Sequence, residues 1–322
     1  MINKVSKYIA LIVISIVLSN CSSSKNAGES LKLVFDDVNN FWEMYDQVKL
    51  INDDAKRIEI IEKDYLEKAT FGLRLLILKD NLTALEYSNQ LKDTVFYNSI
   101  RQTTYAIQND SVKIKKYIRK FEKLYPSAEF SDIYFVVGQF YHGGTVILGT
   151  TIIEIQKNAK TPDTKSLFLF SETNISSLIE YESFLSLIIH EQVHVNQKRG
   201  LRTLFTNTLL TKTMSEGSAD FIMYLITHQI PSHVRETYIY GNKHEAELWS
   251  KFQEDLEKDY DDIRKDWFYN YNQTIIPPDL GYFMGYKICE QYYNQSEDKV
   301  EAIKFILNGS NYKALMEHYS GD

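Results

Sequence analysis

Ile189-His190-Glu191-Gln192-Val193-His194 is the stretch on which the reading of this chain turns. On an α-helix, residues four apart stand one above the other, so His190 and His194 can offer two imidazoles to a single ion. Glu191 can face the same cleft and serve there as a carboxylate base. The bland alternative is a surface helix with two unrelated histidines, but the chain has only 7 His in 322 residues, which makes a chance match to this spacing rare. Phe184, Leu185, Ile188, Ile189 and Val193 surround the motif with apolar side chains. They predict a buried helix that opens on a cleft along its His-Glu-His face. Ser177-Leu178-Ile179-Glu180 has capping-box spacing, so the helix is expected to begin near Ser177, with Gly200 as its stop signal.

A catalytic zinc takes three protein ligands and keeps a fourth position open, so two histidines call for one more donor. A third His six residues after His194 would be one solution, but Gly200 stands there. Downstream, Met214-Ser215-Glu216-Gly217-Ser218-Ala219-Asp220 offers Glu216 near the start of a second apolar helix. The intervening chain is long enough for one helix to end and the next to return to the ion. Asp220 falls one helical turn after Glu216 and shares its face. Metal-bound imidazoles donate their second N–H to a carboxylate or carbonyl, and Asp220 is the candidate for that task. Read alone, Glu216 and Asp220 would be acids enriched near a helix start for dipole reasons; the His-Glu-x-x-His motif is what argues for ligation.

His190-Glu191-Gln192-Val193-His194 followed by Glu216-Gly217-Ser218-Ala219-Asp220 resembles the gluzincin clan of metallopeptidases, which hold zinc with two His and a distal Glu. More narrowly, the chain resembles a bacterial family of zinc-dependent proteases defined mainly by sequence. The further matching stretches are Phe41-Trp42-Glu43-Met44-Tyr45-Asp46, Leu124-Tyr125-Pro126, Phe135-Val136-Val137-Gly138, Gly143-Gly144-Thr145 and Gly281-Tyr282-Phe283-Met284-Gly285-Tyr286. The resemblance spans residues 35 to 295. It implies a zincin-like active-site helix pair, one Zn2+ per chain, a peptide or protein substrate, and an edge strand between Val146 and Ile153 that takes an extended peptide. Glu191 is then the general base, and a further donor must meet the oxyanion. Tyr282 or Tyr286 is favoured for that role, with His228, His233 and His244 as other sources. A second function class stays open: an envelope lipoprotein with a structural or interaction role, in envelope assembly or gliding motility, that keeps the fold. The retained Glu191 argues for the peptidase, since a scaffold has no need of a base.

The remaining composition bounds partners and address. With 44% hydrophobic and 25% charged residues the chain is ordinary globular material, and a net charge of −7 without a basic block excludes a nucleic-acid footprint. Lys4 and Lys7 precede an apolar run from Tyr8 to Leu18 that ends in Leu18-Ser19-Asn20-Cys21. This reads as a signal peptide over residues 1–20, because a permanent membrane helix needs about twenty apolar residues. Cys21 resembles the acylated cysteine of a bacterial lipoprotein, with residues 21–30 as a flexible tether. Asn20 departs from the small residue usual before such a cysteine. The expectation is a lipid-anchored protein of the bacterial cell envelope, on the periplasmic or outer-membrane side. Cys289 is the other cysteine and reads as a small buried hydrophobe, so the fold must hold without an internal disulfide.

Residues 31–322 form the expected metallopeptidase-like domain. Its first part, 31–125, is periodic in apolar residues at helical spacing, as at Phe35, Val38, Phe41, Trp42 and Tyr45, and Pro126 closes it. Its second part, 126–322, opens with strand-like runs at Asp132–Val137, Thr145–Leu148 and Thr151–Ile153, with Leu167–Phe170 as a possible addition to the same sheet. His142, beside two glycines, reads as a turn residue or, less favoured, a substrate contact. Helices are expected near 214–229, 243–258, 281–294, 298–307 and 311–319. The fold class is therefore α+β, mostly helical with a small sheet.

Overall fold

The computed structural model describes residues 30–170, 175, 178–198, 208–270 and 276–321. Cys21 with its signal and tether, Ser177 and Gly200 lie outside the described residues. Helix starts are set by side chains that take up free amide groups. Asp53 accepts from Lys56 N, Thr83 from Glu86 N, Asp93 from Phe96 N and Asp298 from Val300 N and Glu301 N. The first part comprises strand β1 (Leu33–Val34) and helices α1 (Asp36–Val48), α2 (Asp54–Ile61), α3 (Phe71–Asp80), α4 (Ala84–Gln90), α5 (Thr94–Asn109) and α6 (Ser111–Leu124). Strand β1 departs from the helical expectation for this region: two residues are too few to show a period, and Leu33 and Val34 pair in parallel with Ile133 and Tyr134. The α6 helix stops one residue short of Tyr125, which turns extended ahead of Pro126.

Strands β2 (Ile133–Val136), β3 (Gly144–Ile147) and β4 (Thr150–Glu154) complete a four-stranded mixed sheet in the order β1-β2-β4-β3. β2 runs parallel to β4, and β3 returns antiparallel through a tight turn at Leu148 and Gly149, both with positive φ. β3 is thus an edge strand. Leu167–Phe170 does not join this sheet. The buried Asp93 carboxylate accepts the amides of Leu167, Phe168 and Leu169 through one oxygen, at 2.9, 3.0 and 3.1 Å, so those amides cannot enter a ladder.

The loop into β3 is held by another buried carboxylate. Glu154 accepts from Phe140 N at 3.0 Å, His142 N at 2.8 Å and the Gln156 side chain at 2.8 Å. Burial pushes this carboxyl up from 4.5 to about 7, against the lowering effect of those donors.

The second part continues with α7 (Phe184–Asn196), α8 (Leu209–Thr227), α9 (Arg235–Lys243), α10 (Glu245–Asp255), α11 (Tyr260–Trp267), α12 (Leu280–Gln295), α13 (Lys299–Ile306) and α14 (Tyr312–His318). α7 starts later than its expected Ser177. The amides of Ile179 and Tyr181 bond to Lys157 O and Lys160 O, which keeps the preceding chain extended until the turn Tyr181–Ser183. Glu180 lies in that extended stretch and cannot complete a capping box. At its other end α7 is stopped by Gln197, whose backbone is extended, and Lys198 is bonded to Leu307 and Gly309. The helix expected over 243–258 is α10, and α9, which ends just before it at His244, is an addition to the expected set. Cys289 is fully buried on α12.

α7 packs on the face of β3 and β4, α8 packs on α7, and α12 crosses α8. That last crossing is backbone against backbone. A Cβ on Gly217 would stand 2.3 Å from the Gly285 carbonyl carbon, and one on Gly285 would stand 2.1 Å from Thr213 O. No flexible side chain is there to yield. Gly217→Ala is therefore expected to destabilise the chain by about 3 kcal/mol or more in urea unfolding. Gly149→Ala, in open space at φ +74°, should lose only roughly 1–2 kcal/mol. Equal losses would refute the close crossing. For Glu154 the folded value exceeds the unfolded one, so the stability tied to its proton is complete in acid and lost as pH rises through about 7. Between about pH 5.5 and pH 8, the metal-chelated wild type should therefore lose more stability than Glu154→Gln.

Candidate metal centre

His190 and His194 stand one turn apart on α7, and Glu216 and Asp220 one turn apart on α8. The packing of these helices brings three donor atoms into a small triangle. His190 Nε2 is 3.1 Å from His194 Nε2, and Glu216 Oε2 lies 3.3 Å and 3.4 Å from the two nitrogens. Donors held tetrahedrally at about 2.0–2.1 Å from zinc stand about 3.3 Å from one another. The triangle therefore fits an ion of that size, and among the described residues it is the one group of three such side chains close enough to hold a metal.

Each donor is aimed by a further contact. His190 Nδ1 meets Asp220 Oδ1 at 2.7 Å, and the other Asp220 oxygen accepts from the Tyr238 hydroxyl at 3.0 Å. His194 Nδ1 bonds instead to Gln197 Oε1 at 2.9 Å. Gln197 is fixed in turn by Ser215 Oγ at 3.0 Å and by its own amide, which donates to Ser218 Oγ at 3.0 Å. Lys212 Nζ donates to Glu216 Oε1 at 2.8 Å, leaving Oε2 to face the histidines. Burial acts against charge on Glu216, but His194 and Lys212 overcome it and hold the carboxyl well below its ordinary range. Burial likewise opposes charge on His190, and the bonds to Asp220 and Glu216 outweigh it and raise its basicity.

Gln197, Lys212 and Tyr238 escaped the sequence reading. Lys212 carried a usable signal, standing four residues before Glu216 on the same helix. Gln197 lies three residues after His194 but beyond the end of α7. Tyr238 comes from a different helix, and nothing in its local sequence marks it.

Glu191 rests against the sheet beside Gly144. It is 6% exposed, and burial raises its carboxyl above the ordinary range, with His194 and His190 opposing. A Cβ on Gly144 would stand 2.8 Å from Glu191 Oε1, so β3 can pass directly over this carboxylate only because residue 144 is glycine.

The two tyrosines of α12 part company. The Tyr282 ring lies nearly parallel to His190, centroid to centroid 6.3 Å. Tyr286 is buried among Phe221, Tyr224 and Tyr238. Burial pushes its hydroxyl well above the ordinary phenol range. That packing withdraws it from the donor role expected of it. His142 pairs with Asp80 at 3.1 Å, and its amide goes to Glu154. His228 ends α8 in a left-handed conformation, and His244 stacks on Tyr240 and bonds to Glu247. His233 is exposed, on the short turn Ser232–Val234 ahead of α9.

A family model described as "Predicted Zn-dependent protease (DUF2268)" matches residues 151–308, the stretch that carries His190, Glu191, His194, Glu216 and Asp220. The match supports a zinc-protease family. No curated protein and no solved structure matches the chain.

The orienting contacts make a measurable prediction. Asp220→Ala and Gln197→Ala should each weaken zinc binding by about 10–100-fold in competition with a chromophoric chelator, with helix content by circular dichroism unchanged. Wild-type affinity in either variant would remove that residue from the orienting role.

Proposed function

We propose that this chain is a zinc-dependent peptidase in which His190, His194 and Glu216 hold one Zn2+ and Glu191 is the general base. The observation that carries this reading is the donor triangle of 3.1, 3.3 and 3.4 Å, with a fourth buried side chain, Glu191, one residue from the first histidine. When bound, zinc would supply Lewis acidity, lowering the pKa of a water and polarising a carbonyl. Glu191 takes a proton from the attacking water at its carboxylate oxygen and later passes it to the departing amine, which cleaves the peptide bond. Burial suits it to both steps, because a carboxylate with raised proton affinity both accepts and holds that proton. Asp220 keeps the His190 ring in the tautomer that presents Nε2, and the Gln197 carbonyl does the same for His194.

The substrate class follows from β3. Gly143 O accepts from Glu154 N, so the alternation of an antiparallel pair turns the backbone groups of Gly144 and Val146 outward. These are the groups that would pair with an extended peptide running across Glu191, and the reading takes peptides or proteins as substrates. The gluzincin assignment of the helix pair rests on the order His190, His194, Glu216 and on the geometry above. Attachment to the bacterial envelope through a lipid on Cys21 is proposed from residues 4–21 of the sequence; among the described residues no helix is long and apolar enough to cross a membrane.

Metal analysis of the full chain, paired with cleavage of a peptide library by wild type and Glu191→Gln, tests the reading. About one zinc per chain is expected in both proteins, and cleavage in the wild type alone. Carefully prepared wild type without stoichiometric metal would sink the assignment, and metal without cleavage would favour the interaction role.

A further inference from the structure

The free edge of β3 has two faces, and only one of them belongs to Glu191. Gly144 lies against Glu191 on the α7 side. Successive residues of a strand point to opposite faces, so Thr145 belongs to the far side, where α3 packs on β2 and β4. Lys79, in the last turn of α3, meets it there. Its Nζ donates to Thr145 Oγ1 at 3.0 Å and lies 3.3 Å from His142 Nε2.

This ammonium is exposed, and its partners leave its charge uncompensated. Asp80, the next residue, sets its two oxygens 3.2 and 3.1 Å from His142 Nε2 and is engaged there. Among the described residues no carboxylate is ion-paired with Lys79. An ammonium carries three donors, which one hydroxyl and one imidazole do not exhaust. Two plainer readings of Lys79 are available. A lysine in a last turn suits the helix dipole, but the dipole does not direct it to a strand. The bond to Thr145 also ties α3 to the sheet, but Leu73 and Leu76, both fully buried, already seat that helix.

The register of the hairpin fixes what a substrate would bring to this point. With Gly143 O bonded to Glu154 N, residues 143, 145 and 147 turn their backbone groups to β4, and 144 and 146 turn theirs outward. In an antiparallel strand added to this edge, Gly144 and Val146 would make the hydrogen-bonded pairs and Thr145 the non-hydrogen-bonded pair between them. That is the pair in which Cα atoms approach to about 4.5 Å and side chains stand closest. The substrate residue opposite Thr145 shares its face, with the two Cβ atoms about 4.5–5.5 Å apart. A carboxylate on so short a side chain comes within reach of Lys79 Nζ.

We propose that Lys79 is a specificity-determining residue that receives an acidic side chain of the substrate, Asp or Glu, opposite Thr145 and next to the residue that lies over Glu191. The assignment rests on the peptidase reading above.

Cleavage of a positional peptide library by the zinc-loaded full chain, with the sites read by mass spectrometry, tests it. Aspartate and glutamate should be enriched at one position close to the cut. There a Glu peptide should exceed its Gln counterpart in kcat/KM by about 3–5-fold, a ratio kept in Lys79→Arg and reduced to about one in Lys79→Gln. In Lys79→Glu the preference should pass to a Lys peptide. Each ratio is taken within one protein, so a variant that folds less well does not distort it. Cleavage by the wild type without an acidic preference, or a preference unchanged in Lys79→Gln and Lys79→Glu, would overturn the assignment and leave the peptidase reading intact. A wild type that binds zinc but cleaves nothing is judged by affinity selection from the same library, where the same ratios are expected among bound peptides and their absence overturns the assignment. One that binds neither zinc nor peptide overturns both.

Discussion

A carboxylate can be buried only where something compensates its charge, and three of them meet at the centre of this fold. Glu191, Glu216 and Asp220 are each less than a tenth exposed, and among the described residues Lys212 is the one ammonium bonded to them. Their other partners are the Tyr238 hydroxyl on Asp220 and the imidazoles of His190 and His194, which turn one nitrogen each into the same small volume. A donor set with this surplus of negative charge and two converging ring nitrogens suits a dication, and its geometry leaves room for one of zinc's size. Much of the surrounding structure can be understood as what is needed to keep these groups so close. The glycine-on-glycine crossing of α8 and α12 brings the helix that carries Glu216 and Asp220 as near to α12 as two backbones can come. The extended stop at Gln197 lets a side chain just past the end of α7 reach back to His194.

The sheet is small for a chain of this size, and its value lies in one edge. β3 is held in register by β4 on one side and faces outward on the other, and its first residue is the glycine that clears Glu191. The loop that delivers the chain to this edge depends on Glu154, whose buried carboxyl gathers the amides of residues 140 and 142. Base, edge and loop are therefore one mechanical unit: moving β3 would move the wall against which Glu191 rests. Regular elements, α7 and α8, supply the donor triangle.

The parts of this site that were legible in sequence are those governed by local geometry. His190 with His194 and Glu216 with Asp220 are spaced by one turn, so their sharing of a face needs no knowledge of the fold. That the two faces meet was inferred from the number of donors a metal needs, and the structure does bring them together. The mostly helical α+β class and the runs that became β2, β3 and β4 were legible for the same reason of period. What was not legible depends on distant partners. Leu167–Phe170 has strand composition, but Asp93, far away in sequence, takes its amides. The start of α7 was misplaced because Lys157 and Lys160 hold the preceding chain extended. Gln197 and Tyr238 carry no signature of type or spacing, since each is identified only by what it touches.

The two histidines are not equivalent, and the difference follows from the same charge constraint. Asp220 supports His190 with a full negative charge, while Gln197 supports His194 with a neutral carbonyl. Both partners fix a tautomer, but only the carboxylate also makes its imidazole more basic and a stronger electron-pair donor. A carboxylate in place of Gln197 would strengthen His194 too, yet it would add a fourth buried anion to a centre with one bonded ammonium. It would also set that anion against Ser215 O, to which the Gln197 amide now donates. The amide satisfies both neighbours because it carries an acceptor and a donor on one side chain. The two imidazoles are thus supported differently, His190 by a carboxylate and His194 by a neutral amide, an asymmetry that limits the negative charge buried beside Lys212.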